Sequence, residues 1–340
     1  MVRLMNAKHD CYYEVIAADD REMGLRLGTM FRGRLQAMER EIAPLIEKSR
    51  DTLAAIRGAV AAAFPGYAGE IDGYAEGAQI SALSMLALCM ENEFSGVEHC
   101  TTMITNGGRM IAHNEDWNVG SENRLCILRR TTGRDTTLEL LYIGTLGGNA
   151  VSVSSRGWVQ AVNSLPLGRS RLKAGIPRNI VNRWMADTVD PVADVARMRR
   201  MQRISGDSHI LVSMNEAQAF VIESTPEHLA CRTIAFDKPF AHTNHFLDPA
   251  LAGVETPSAS SRKRHETACR LLGPVMNESE LKDIMDTANT DPRGVNEIFS
   301  AETIGRILLD LDRGTASIWM RREAEKGWIE YPLPSVTVRS

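Results

Sequence analysis

The stretch NEFSGVEHCTTMITNGGRMIAHNEDWN, Asn92 to Asn118, decides how the rest of the chain is read. Up to Gly96 the apolar spacing is helical, and at Cys100 it changes to that of strands. Cys100–Thr105 and Met110–His113 flank Asn106-Gly107-Gly108, residues that tolerate positive φ, so the segment predicts a β-hairpin. That hairpin opens on a cysteine set between His99 and two threonines. A lone cysteine at a strand start is by default a packed thiol. A sharper reading competes with it here: Cys100 is a nucleophile, uncovered when the chain cuts itself between His99 and Cys100.

Upstream, residues 10–18 read as a short strand, followed by helices over 21–50, 52–64, 70–79 and 83–91. Pro44 is expected to kink or end the first helix, and Pro65-Gly66 to stop the second. Downstream the expected strands are 124–131, 137–143, 150–154 and 158–163, then helices 177–187 and 191–201, each with proline near its start. A hairpin (209–214, 217–223), strands at 230–234 and near 241, helices at 258–272 and 278–287, and strands at 304–310, 316–321 and 327–331 complete the chain. The order has no βαβ alternation, so it predicts an α+β fold in which two antiparallel sheets carry helices on their outer faces. With no repeat or linker, residues 1–340 read as one domain.

Composition narrows the function. In 340 residues, 44% are hydrophobic and 24% charged, with a net charge of −4, which excludes a disordered chain. Basic residues are scattered, and the short runs Arg262–Arg264 and Arg321–Arg322 read as solvated faces, so no nucleic-acid partner is expected. No apolar run of about 18 residues occurs, no membrane partner is expected, and the first residues lack a secretory core, which makes the cytoplasm the default location. Six cysteines, widely spaced and without a C-x-x-C pair, do not form a disulfide framework.

As a chain terminus, Cys100 would carry its own base, because a free α-amino group has a pKa of about 7.7–8 and sits within a few bonds of the thiol. The route there is attack of the thiol on the His99 carbonyl, giving a thioester that water resolves. Such steps need an oxyanion hole, and neutral amides suit it. Asn244 in HTNHFLDP (His242–Pro249) and Asn163 at the end of WVQAVN are the candidates, while Asp116 in HNEDWN is placed to orient the α-amino group. Its neighbour Glu115 would point to the other face of a strand. Asn244 alternatively closes a turn before Pro249, and Asp116 alternatively caps one. His242-x-x-His245 lacks the second paired element of a zinc site, so no metal and no cofactor is expected.

Cys-Thr-Thr, Asn-Gly-Gly, Asn114-Glu115-Asp116-Trp117 and the later His-Thr-Asn-His-Phe-Leu, in this order, resemble the autoproteolytic penicillin acyltransferase family, which includes acyl-coenzyme A:6-aminopenicillanate acyltransferase and β-alanyl-dopamine hydrolases. GYAEGAQIS (Gly73–Ser81), GWVQAVNSLP (Gly157–Pro166), Gly175-Ile-Pro-Arg178 and SSRKRHETACRLL (Ser260–Leu272) extend the resemblance over nearly the whole chain. It implies an N-terminal-nucleophile hydrolase fold, a four-layer αββα sandwich. It also implies Cys100 as nucleophile of self-cleavage and turnover, Asp116 as the family's acidic residue, Asn244 as its oxyanion asparagine, and Arg313 as a loose match to an arginine. Two departures stand out. His99 replaces the usual glycine before the nucleophile, where its bulk slows cleavage or its imidazole assists it, and Glu115 adds a carboxylate suited to a cationic amine substrate.

The leading expectation is a self-processing amidohydrolase that cuts a small N-acyl amide and remains a pair of its own α (1–99) and β (100–340) chains. The alternatives are acyl transfer to a small amine from a coenzyme A thioester, and an unprocessed non-enzymatic scaffold that kept the fold. A homo-oligomer is compatible with each.

Overall fold

The computed structural model describes residues 8–94, 99–165, 173–254, 257–288 and 298–337. The chain begins with β1 (Tyr12–Ala17), then α1 (Asp20–Lys48), α2 (Arg50–Ala63), α3 (Pro65–Ala78), α4 (Ala82–Cys89) and the single turn α5 (Glu91–Phe94). The hairpin follows as β2 (His99–Thr105) and β3 (Met110–Asp116), joined by a 3₁₀ turn over Asn106–Gly108. Next come β4 (Leu125–Thr132), β5 (Asp135–Tyr142), β6 (Val151–Ser154), β7 (Trp158–Ser164), α6 (Arg178–Ala186) and α7 (Pro191–Met198). The remainder is β8 (Asp207–Ser213), β9 (Ala219–Ser224), β10 (Leu229–Ile234), β11 (Phe240–His242), α8 (Ala259–Leu271), α9 (Glu278–Met285), β12 (Thr303–Asp310), β13 (Thr315–Met320) and β14 (Ile329–Pro332).

Among the described residues the strands form an eight-stranded sheet, β1-β4-β5-β6-β7-β8-β9-β10, and a six-stranded sheet, β11-β2-β3-β12-β13-β14. The hairpin supplies the second and third strands of the smaller sheet. Side-chain period then sorts its residues. Met103, Met110, Ala112 and Leu308 pack with Ala268, Leu281 and Met285 of α8 and α9, whereas Ile104, Ile111, Ile307 and Leu309 join the main core. Thr102 and Glu115 reach across that core to Asn163 on β7 and Tyr142 on β5, so the sheets stack face to face. Helices α1 to α4 and α6 cover the larger sheet, α8 and α9 the smaller. The fold is α+β, a layered αββα sandwich.

Pro44 lies inside α1, which runs on to Lys48. Two details differ from the sequence expectation. Pro65 starts α3 instead of only stopping α2, because its missing N–H costs nothing in a first turn. The larger sheet is not wholly antiparallel, since β1 pairs in parallel with β4 across the intervening helices. Helices α1 and α3 meet backbone to backbone, where a Cβ on Gly28 would lie 2.2 Å from the Tyr74 carbonyl oxygen.

Candidate active site

Strand register places the nucleophile candidate. Cys100 on β2 is opposite Glu115 on β3, and His99 is opposite Asp116. Directly opposed residues share a face, so the Cys100 thiol and Glu115 both turn into the space between the sheets, and Asp116 turns toward α8. Cys100 is 1% exposed. Its Sγ donates to Glu115 Oε2 at 3.6 Å, its backbone N–H donates to Asn244 Oδ1 at 2.9 Å, and its carbonyl accepts from Arg264 Nη1 at 2.7 Å.

On the inner face Glu115 is the hub. Its Oε1 accepts from the Tyr142 hydroxyl at 2.6 Å, and its Oε2 lies 2.8 Å from His113 Nε2. His113 Nδ1 lies 2.8 Å from the Thr102 hydroxyl, which donates to Asn163 Oδ1 at 2.8 Å. Both carboxyl oxygens of Glu115 are thus already engaged within the protein, and the residue is fully buried. Burial pushes its pKa up to about 8, against the pull of the Tyr142 and Cys100 hydrogen bonds, and burial drives His113 down to about 4. Near neutral pH the pair is a carboxylic acid beside a neutral imidazole. The ligand-type atoms of Cys100, His113 and Glu115 lie within 4.8 Å of one another, a spacing their mutual hydrogen bonds account for.

The opposite face holds the second set. Burial raises Asp116 to about 7, opposed chiefly by the positive charge of Arg264 and a hydrogen bond with Thr303. Its Oδ1 is buried with no hydrogen-bond partner among the described residues. Asn244 donates through Nδ2 to the Ser164 carbonyl at 2.9 Å, while its Oδ1 accepts from both Cys100 N–H and Arg264 Nη2, the latter at 2.7 Å. Asn163 Nδ2 is likewise a buried donor with no partner among the described residues. A donor left in that state costs about 1–3 kcal/mol, and such orphans mark places where a further atom binds.

Arg264 is the residue that the sequence reading missed. It belongs to a run that reads as a solvated face, yet it is 2% exposed and holds Cys100 O, Thr101 Oγ1 and Asn244 Oδ1 together. The signal available was the set of small α8 residues Ser261, Thr267 and Ala268, which leaves room for a long side chain to lie inward. Arg313 is not brought to this site. It lies exposed between β12 and β13, paired with Glu278 and Glu330. The side chain of His99 falls outside the described residues. His242 bonds Ser208 and Glu223, and His245 bonds Ser261.

The raised pKa of Glu115 has a measurable consequence. A carboxyl that holds its proton up to about pH 8 in the fold but loses it near its ordinary value when unfolded makes the fold bind the extra proton between those limits. Stability therefore falls as pH rises through that window, by about 1.4 kcal/mol per pH unit for one group. Glu115→Gln in a Cys100→Ala background is expected to match its parent near pH 5 and to be increasingly more stable than it up to pH 8. Urea unfolding at several pH values checks this, and parallel curves would contradict it.

Cys100 thus stands at the head of β2 with an amide oxygen on its nitrogen, a carboxyl on its sulfur, and Asn163 Nδ2 left without a partner among the described residues in the same network. The chain belongs to the acyl-coenzyme A:6-aminopenicillanic acid acyl-transferase family, whose model matches residues 103–325. It accordingly falls among enzymes of the acyltransferase type. The match begins three residues after Cys100 and takes in Asp116, Asn163 and Asn244. Among solved structures it is similar to penicillin V acylase from Agrobacterium tumefaciens, with 12% identity, a TM-score of 0.39, and 66% of this chain and 83% of that one covered. It is also similar to a mutant of conjugated bile acid hydrolase from Clostridium perfringens, with 9% identity, a TM-score of 0.41, and coverage of 71% and 99%. Among the described residues no helix is long and apolar enough to cross a membrane.

Proposed function

We propose that this protein is a self-processing cysteine amidohydrolase: a single domain that cuts itself before Cys100 and then hydrolyses small N-acyl amides through a Cys100 thioester. The observation that carries the proposal is the setting of Cys100, whose nitrogen is already bonded to Asn244 and whose thiol is already bonded to Glu115. Cleavage turns that nitrogen into the α-amine base, and Asn244 Oδ1 keeps it beside the sulfur. The unpaired Oδ1 of Asp116 supports a role for that carboxyl in receiving the new amine, and the unpaired Nδ2 of Asn163 supports it as an oxyanion donor with Asn244.

The two pieces would stay together. Glu323 accepts from the backbone N–H groups of Asp10 and Cys11, Glu93 accepts from Arg178 N–H and Ser205, and buried Glu70 faces Arg130 and Arg183 across the proposed cut. No disulfide joins any of the six cysteines, which fits a reducing compartment, and we place the enzyme in the cytoplasm.

The family description itself names a coenzyme A donor, so acyl transfer to a small amine is the second reading. Incubation with a panel of N-acyl amides, and separately with acyl-coenzyme A plus amines, divides the two. Release of free acid from amides without coenzyme A is expected, and product formed only in the second mixture would favour the transferase. A thiol-reactive probe that labels Cys100 no faster than the buried Cys89 would overturn both.

A further inference from the structure

The geometry points to a proton relay that serves self-cleavage, running from the Cys100 thiol through Glu115 to His113, with Thr102 and Asn163 fixing the polarity of the chain. It rests on the self-processing reading above and adds to it the group that takes the thiol proton while the α-amine does not yet exist.

The polarity follows from counting protons. Asn163 Oδ1 can only accept, so the single hydroxyl proton of Thr102 is committed to it. The Thr102 oxygen, 2.8 Å from His113 Nδ1, must then accept, which makes Nδ1 the protonated ring nitrogen. A neutral imidazole carries one N–H, so Nε2 is bare. The proton shared between Nε2 and Glu115 Oε2 at 2.8 Å therefore belongs to a protonated Glu115, whose Oε1 takes the Tyr142 hydroxyl proton. Oε2 retains a lone pair for the thiol.

Cleavage uses this arrangement in both directions. As Sγ attacks the His99 carbonyl carbon, its proton passes to Glu115 Oε2 and the proton of Oε2 passes to His113 Nε2. An imidazolium forms, held through Nδ1–H by Thr102. When the C–N bond breaks, Glu115 protonates the departing Cys100 nitrogen and recovers its proton from His113. Water then splits the thioester, its hydroxyl going to the His99 carboxyl and its proton to sulfur. Glu115 touches the reacting atom and is the catalytic residue, while His113, Thr102 and Asn163 are positioning residues. The chain spans both sheets, with Thr102 on β2 and Asn163 on β7, so the relay is complete only when the sandwich has closed.

The test follows full-length protein over time after pulsed cell-free synthesis, on denaturing gels. His113→Gln is expected to slow cleavage about 10²-fold, the lower end of acid–base contributions, and Thr102→Val about 10-fold. Thr102→Ser, which keeps the hydroxyl, is expected to restore the wild-type rate, as a purely packing role for the threonine methyl would not. Independently of any variant, the wild-type rate in mixed light and heavy water should bend in the manner of two protons in flight. Wild-type cleavage with indifferent variants, or with a linear isotope dependence, overturns the relay and leaves self-processing intact. A wild type that is never cut overturns both.

Discussion

A Cys100→Ala chain is expected to fold, to stay in one piece and to hydrolyse N-acyl amides at least ~10⁶-fold more slowly than wild type, the scale seen when a covalent nucleophile is deleted. The argument is local. In the proposed function the sulfur is the attacking atom in both reactions, and the side chains that surround it, Glu115, His113 and Thr102, are an acid, a buried imidazole and a hydroxyl already committed to hydrogen bonds. None stands in for a thiol. The cost to stability is small, about 1 kcal/mol, because only one heavy atom leaves a packed site. Single-turnover assays on both proteins with matched urea midpoints check this. Residual cleavage or turnover in the variant would move the chemistry elsewhere.

Loss of Arg264 is expected to be nearly as severe, though for a different reason. Its two terminal nitrogens tie the Cys100 carbonyl and Thr101 on one side to Asn244 on the other, so one planar group sets the distance between Cys100 and the Asn244 amide. It is also the principal positive charge opposing the raised pKa of Asp116. Arg264→Met leaves three acceptors short of a donor and a buried carboxyl without its cation, and a loss of about 3–5 kcal/mol follows, as for other broken buried charge interactions. Arg264→Lys is expected to recover only part, since an ammonium cannot present the same fork. Cleavage should slow about 10²-fold in the methionine variant, the scale of losing one preorganised donor at an acyl-transfer site. Unfolding midpoints and cleavage rates measured on the same preparations separate the two losses. A methionine variant with unchanged values of both would show that the clamp is idle.

Much of this is legible in the chain before its structure. Asn106-Gly107-Gly108 marks a hairpin because those residues reach positive φ cheaply, and Asn106 and Gly107 have φ values of 55° and 63°. The α+β class follows from element order alone. Strand alternation also separates Glu115 from Asp116, but it does not say which of them faces the thiol. That depends on the register of Cys100 against Glu115, which the length of the connecting turn sets. The parallel pairing of β1 with β4 is beyond local reasoning, since it joins segments more than a hundred residues apart. Arg264 escapes for a related reason: apart from Arg264 the buried side of α8 holds only the small residues Ser261, Thr267 and Ala268, so no large apolar stripe announces which way the helix faces. The chain from Asn163 to His113 is invisible in the sequence because its members come from three strands in two sheets.

The measurement closest to the central claim is the intact mass of purified wild-type protein under denaturing conditions, with sequencing of any new amino terminus. Two species of roughly 11 and 27 kDa are predicted, the length shares of residues 1–99 and 100–340. The larger should begin Cys-Thr-Thr, and both should elute as one particle under native conditions. A single species of 37.6 kDa would contradict the account, leaving Cys100 a packed thiol in a protein that keeps the fold without its processing.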